Sequence, residues 1–226
     1  MTVQKKILMI VTSFSQIDEF HSTGLWLEEF AIPYFEFCTG GYAVTVASPQ
    51  GGAAPIDLQS VTENIPDQWQ EAIRILKDTR VLEQIDYRVY DAVVFPGGHG
   101  PMFDLANDKQ VAQLLQFFGL QQKIIGAVCH GPAALLSTTM PDGSPLIAGK
   151  KVTGFTDEEE AMTHLSKLVP FSLEAKLKAL GAEFVKKQPW TNNIVIDGNL
   201  ITGQNRQSSL SFAKFILEAL AKPADI

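Results

Sequence analysis

Cysteine is scarce in this chain: there are two, Cys38 and Cys129, with no Cys-x-x-Cys spacing. That excludes a disulfide scaffold and a structural zinc site of the usual spacing, and leaves two free thiols as the expectation. Long apolar runs are missing too. The longest, near Ile7–Val11 and Ile124–Val128, fall far short of the roughly 20 residues a membrane helix needs, so no membrane partner is expected. Positive charge is also limited, with 18 Lys and Arg against 25 Asp and Glu and a net charge of −7. The lysines form no block, which sets nucleic acid aside as a main partner. No Ser/Gly-rich linker, low-complexity tract or long internal repeat divides the chain, so one domain over 1–226 is expected. Ahead of the run at Lys6 there is no secretory apolar region with a cleavage site, and a cytoplasmic location follows as the expectation.

What is present is an alternation of short apolar runs and amphipathic segments. Strand-like runs fall at Lys6–Val11, Ala43–Ala47, Asp91–Phe95, Lys123–Val128 and Phe184–Lys186. Between them lie helical patterns such as Asp108–Phe118, where Val111, Leu114, Leu115 and Phe118 share a face. This order specifies a mostly parallel sheet with helices on both sides. Asp142-Gly143 and Ala148-Gly149 bracket Pro145–Ile147 ahead of the extended Lys151–Phe155, which predicts a small β-hairpin excursion. Asp197-Gly198 predicts a turn joining Ile194–Ile196 to Leu200–Thr202, and a helix from about Ser208 to Ala221 closes the chain.

Four stretches carry candidate chemistry. In IIGAVCHGPAALL, residues 124–136, a buried strand runs into Cys129, His130 and Gly131, with a helix predicted from Pro132. Cys129 then sits outside the carboxyl end of a strand, at a helix start that favours the thiolate. A small buried hydrophobe is the plain alternative for the cysteine. Whether His130 reaches the sulfur is left open by sequence, because adjacent residues on a sharp turn usually point apart. In VVFPGGHG, Val93–Gly100, Gly97 and Gly98 free backbone N–H groups to face a ligand. Gly98 N–H and His130 N–H form a candidate oxyanion hole, with His99 beside them. In TGLWLEEFAIPYFEF, Thr23–Phe37, Pro33 removes a helical hydrogen bond, so the helix is expected to distort at Glu29, a carboxyl of raised pKa if it lies against Cys129. In TGFTDEEE, Thr153–Glu160, the acids suit a capped helix start, and one of Glu158, Glu159 and Glu160 could orient His130. His21, His99 and His164 show no His-Glu-x-x-His or i,i+4 pairing, and no metal is expected.

Taken together these stretches resemble the ThiJ/PfpI superfamily, whose core is shared with class I glutamine amidotransferases. The likeness runs from Lys6 to DGNLITGQN at Asp197–Asn205, through Glu29 and Pro33, PGGHGPMFDL at Pro96–Leu105, AVCHGPAALL at Ala127–Leu136 and VTGFTDEEE at Val152–Glu160. The resemblance implies a flavodoxin-like α/β three-layer sandwich and the site positions Glu29, Cys129 and His130. Its heat-shock-induced glyoxalase branch carries a triad glutamate at the position of Glu160. Glutamine amidotransferases use a distal His-x-Glu that His164-Leu165-Ser166 does not supply. The resemblance therefore implies a glutathione-independent glyoxalase, or D-lactate dehydratase, taking methylglyoxal and similar small-molecule 2-oxoaldehydes without metal or organic cofactor. It also implies a homodimer. Relatives described as deglycases, peptidases or holding chaperones supply the alternatives, including a redox-sensing thiol with little turnover.

Overall fold

The structure is a computed structural model and describes residues 4–222. Its sheet is assembled from strands whose β-branched and apolar residues are buried on both faces, as parallel strands under two helical layers require. These are β1 (Lys6–Ile10), β2 (Ala43–Ser48), β3 (Arg80–Val81), β4 (Ala92–Phe95), β5 (Ile124–Val128), and, after a small side sheet of β6 (Lys151–Val152) and β7 (Glu183–Phe184), β8 (Ile194–Asp197) and β9 (Leu200–Gly203). The order is β3-β2-β1-β4-β5-β9-β8, all parallel except β8, which turns back on β9 at Asp197-Gly198. This is the flavodoxin-like α/β arrangement expected, with a parallel sheet between helical layers.

Chain order reverses at β1: β2 and β3 lie on one side of it, β4 and β5 on the other. Right-handed crossovers therefore send α1 (Leu27–Thr39) and α2 (Gln70–Leu76) to one face and α3 (Lys109–Leu120) to the opposite one. Asp108 starts α3 by accepting hydrogen bonds from the backbone of Gln110 and Val111. Two short helices, α4 (Asp157–Glu160) and α5 (Leu173–Ala179), lie in the crossover from β6 to β7, and α6 (Ser209–Ala221) closes the chain against α1. α6 comes close because Gly126 has no side chain over Phe212 and Ile216.

Four details depart from the expectations. Lys151–Val152 pairs in parallel with Glu183–Phe184 instead of folding back as a hairpin, since a parallel partner needs a long crossover and α4 and α5 supply it. The antiparallel excursion shrinks to one bridge, Thr139 to Pro145, around the Asp142-Gly143 turn. α1 passes through Pro33 as one helix, and the segment after Cys129 is a five-residue 3-10 turn, Gly131–Leu135, rather than an α-helix.

Candidate active site

The carboxyl ends of β4 and β5 lie side by side next to the point where strand order reverses, the place where open α/β sheets bind ligands. β5 delivers Cys129 there with φ +60, a left-handed conformation that turns the side chain out of the strand line. The ladder holds this turn from both sides: Cys129 N–H donates to Gly203, and Phe155 N–H donates to the Cys129 carbonyl. Two glycines are required by close approach. A Cβ on Gly131 would run into the Phe95 carbonyl, and one on Gly97 would meet Glu29 Oε2 and come within 2.6 Å of Cys129 Cβ.

Glu29 comes from the first turn of α1 and is 1% exposed. Its Oε2 has no hydrogen-bond partner, and the polar groups that act on the carboxyl are the Cys129 thiol and the Gly97 N–H. Burial pushes the Glu29 pKa up to about 8, against the pull of the thiol and of Gly97. Cys129 responds in kind. Burial first, then the charge and hydrogen bond of Glu29, raise the thiol well above its ordinary value, while Gly98 N–H pulls the other way. A thiolate favoured by a helix start was the expectation; the 3-10 turn is too short for a macrodipole, and desolvation wins.

His130 does reach the sulfur, with Nδ1 3.5 Å from Cys129 Sγ. Its Nε2 lies 2.7 Å from Glu160 Oε2, and His99 Nε2 lies 2.8 Å from Glu160 Oε1, so one carboxyl holds two imidazoles. Burial opposes ionisation of Glu160, but the hydrogen bonds from His130 and His99 outweigh it and hold the carboxyl well below the usual range. A carboxylate only accepts, so Nε2 of His130 carries the proton and Nδ1 turns its lone pair to the thiol. Burial, followed by the neighbouring His99, drives the His130 pKa down to about 4, and the ring is neutral at physiological pH.

Of the three glutamates in the motif, Glu160 meets the site, through His130 and His99. Glu158 is exposed, and Glu159 is buried as an anchor that accepts from Thr156 N–H and Oγ1, Trp190 N–H, Gln204 and Asn205. His21 pairs with Asp18 at the surface and His164 contacts Gln59 at the pocket rim. The ligating atoms of His99, His130 and Glu160 lie within 4.8 Å of one another and could hold a cation, though the same atoms already hydrogen-bond one another. Sequence spacing missed this grouping because the three residues sit on three separate segments, after β4, after β5 and on α4.

A cavity of about 550 Å³ opens over Cys129. Its walls include residues that sequence reasoning passed over: Trp26, Phe155, Trp190 and Arg206. Phe155 packs on His130 at 4.4 Å between ring centroids and on Trp190 at 5.6 Å. Trp190 has φ +58, which no local pattern in its sequence announces. Among the described residues no helix is long and apolar enough to cross a membrane.

A family model described as the DJ-1/PfpI family matches residues 18–219. The chain is similar to the solved structure of glyoxalase III from Candida albicans, at 28% identity and a TM-score of 0.87 over 95% of this chain and 97% of that one. The glutathione-independent glyoxalase HSP31 of Saccharomyces cerevisiae is 28% identical, with 96% of this chain and 98% of that protein aligned. The Rapid Encystment Protein 24 kDa of Francisella tularensis is 34% identical, with a TM-score of 0.92 over 97% of this chain and 100% of that one.

Proposed function

The chain belongs to the DJ-1/PfpI family, and we propose that it is a glutathione-independent glyoxalase converting methylglyoxal and related 2-oxoaldehydes to 2-hydroxy acids. The observation that carries this reading is the Glu29–Cys129 pair: a nucleophile and a carboxyl with a pKa near working pH, buried together under one cavity. The glyoxalases among its relatives support the reaction class.

In the mechanism, ionised Glu29 takes the Cys129 proton as sulfur bonds to the aldehyde carbon. The oxygen of that carbon accumulates charge between Gly98 N–H and His130 N–H and is protonated, giving a hemithioacetal. Glu29, ionised again, removes the hydrogen from the former aldehyde carbon, the neighbouring carbonyl oxygen gains a proton, and an enediol results. Return of the proton from Glu29 to the second carbon, with loss of the hydroxyl proton from the first, leaves a 2-hydroxyacyl thioester. Water activated at His130 Nδ1 hydrolyses it and restores the thiol. The sum adds one water to the 2-oxoaldehyde, so no external oxidant or reductant enters. Glu160 fixes the His130 tautomer throughout, and His99 steadies Glu160 from its other oxygen.

The test is lactate formation from methylglyoxal without glutathione, resolved into D and L forms, for wild type and Cys129→Ala. Lactate from wild type with a loss of about a thousandfold in the variant is expected. Equal lactate from both, or none from folded wild type, refutes the reading. A peptidase or amidase built on the same Cys129, His130 and Glu160 would appear instead as Cys129-dependent cleavage of peptides or amides. Redox sensing is the weaker alternative, because a buried thiol with a raised pKa holds little thiolate for peroxide to attack.

A further inference from the structure

The cavity is larger than a three-carbon aldehyde requires, and its outer wall carries a cation that the mechanism does not use. Arg206 follows Asn205, which is fully buried, donates to Glu159 and accepts from Gln207 N–H, so its backbone stands on a fixed platform. Its guanidinium carbon lies 5.6 Å from the Trp26 ring centroid and 6.0 Å from that of Trp190. Among the described residues no carboxylate pairs with it and it donates no side-chain hydrogen bond. Glu28 and Glu29 on α1 feel its charge without contact. Trp190 is held in its left-handed backbone conformation by Glu159, the same carboxyl that holds Asn205. One buried acid thus sets the position of both the cation and one of its aromatic neighbours. A guanidinium at cation–π range of two indole rings keeps its N–H edges available for an oxyanion, in the planar fork that suits a carboxylate or phosphate.

We propose that Arg206, between Trp26 and Trp190, is an acid-group subsite, and that the substrates this cavity selects are 2-oxoaldehydes carrying a carboxylate or phosphate at the end remote from the aldehyde. This rests on the glyoxalase reading. The acid group takes no part in bond changes, and the reaction remains addition of one water.

The probes are 4,5-dioxopentanoate, longer ω-carboxyl 2-oxoaldehydes, and the methyl ester of each. In wild type, kcat/KM for at least one acid exceeds that of its ester by about tenfold, and Arg206→Gln brings the ratio close to one. A ratio near one for every wild-type pair, or a ratio that survives Arg206→Gln, overturns the subsite. Methylglyoxal, run alongside, separates this failure from that of the reaction itself. Should wild type turn over none of these compounds, the glyoxalase reading fails and binding decides the subsite: 2-hydroxyglutarate, the acid product, is titrated against Trp fluorescence. Binding about tenfold weaker in Arg206→Gln supports the subsite, and equal binding or none overturns it.

Discussion

Replacing Glu29 with glutamine isolates the energetic cost of keeping a proton on a buried acid. In the folded protein its pKa rises from the ordinary 4.5 to about 8, chiefly through burial. Between those values the unfolded chain releases the proton and the folded chain retains it, so folding stability falls by about 1.4 kcal/mol per pH unit. The contribution is complete below the unfolded value and is lost as pH rises through about 8, roughly 5 kcal/mol in all. The amide of the variant cannot titrate. The difference in unfolding free energy, wild type minus Glu29→Gln, should therefore drop by about 4 kcal/mol between pH 5 and pH 8 and level off above that. Urea denaturation of both proteins at unit pH intervals measures it. Any fixed penalty of the amide shifts every point equally, and Asp104, raised to about 6 by burial, is common to both proteins. A difference that stays constant from pH 5 to pH 8 would show that Glu29 titrates as an ordinary carboxyl, and its reading as a base with a pKa near working pH would fall with it.

The same pKa sets the pH profile: kcat/KM of wild type should climb tenfold per pH unit up to about 8 and then flatten, with no limb from His130, whose pKa is about 4. A flat profile from pH 6 to pH 9 refutes Glu29 as the base. Gly97→Ala should fold yet lose about a hundredfold in kcat/KM, because its Cβ displaces the Glu29 carboxyl and Cys129 from each other. An unimpaired variant would mean their separation is not critical. Glu159→Gln should cost about 3 kcal/mol in urea unfolding and shift Trp190 emission to the red, since an amide donor then faces a ring of donors. Chelator-treated protein should keep its full lactate-forming rate; loss of the rate with recovery on added zinc would make His99, His130 and Glu160 a working metal site.

Much of the fold was legible because parallel strands buried on both faces must be continuously apolar, and the helices between them must carry a buried stripe. Lys6–Ile10, Ala92–Phe95, Ile124–Val128 and Lys109–Leu120 all lie where that pattern puts them. β3 escaped it, since two residues are too few for any periodicity, and so did the pairing of β6 with β7, because partner choice is not a local property.

For the site, residue types and their places on the chain were decided by the sequence alone: a cysteine after a buried strand, a glycine pair after the strand before it, a glutamate ahead of a helical proline, an acidic helix start. Local chemistry restricts what such residues can be. Their electrostatic states came only from tertiary structure. Cys129 is raised instead of depressed first because the fold buries it and then because Glu29, 100 residues earlier in the chain, lies against it. Glu160 rather than Glu158 or Glu159 holds His130 and His99 because Glu159 is committed to Trp190, Gln204 and Asn205. Desolvation and charge coupling act through space over a few ångströms, and no spacing along a chain encodes which distant groups will close that gap.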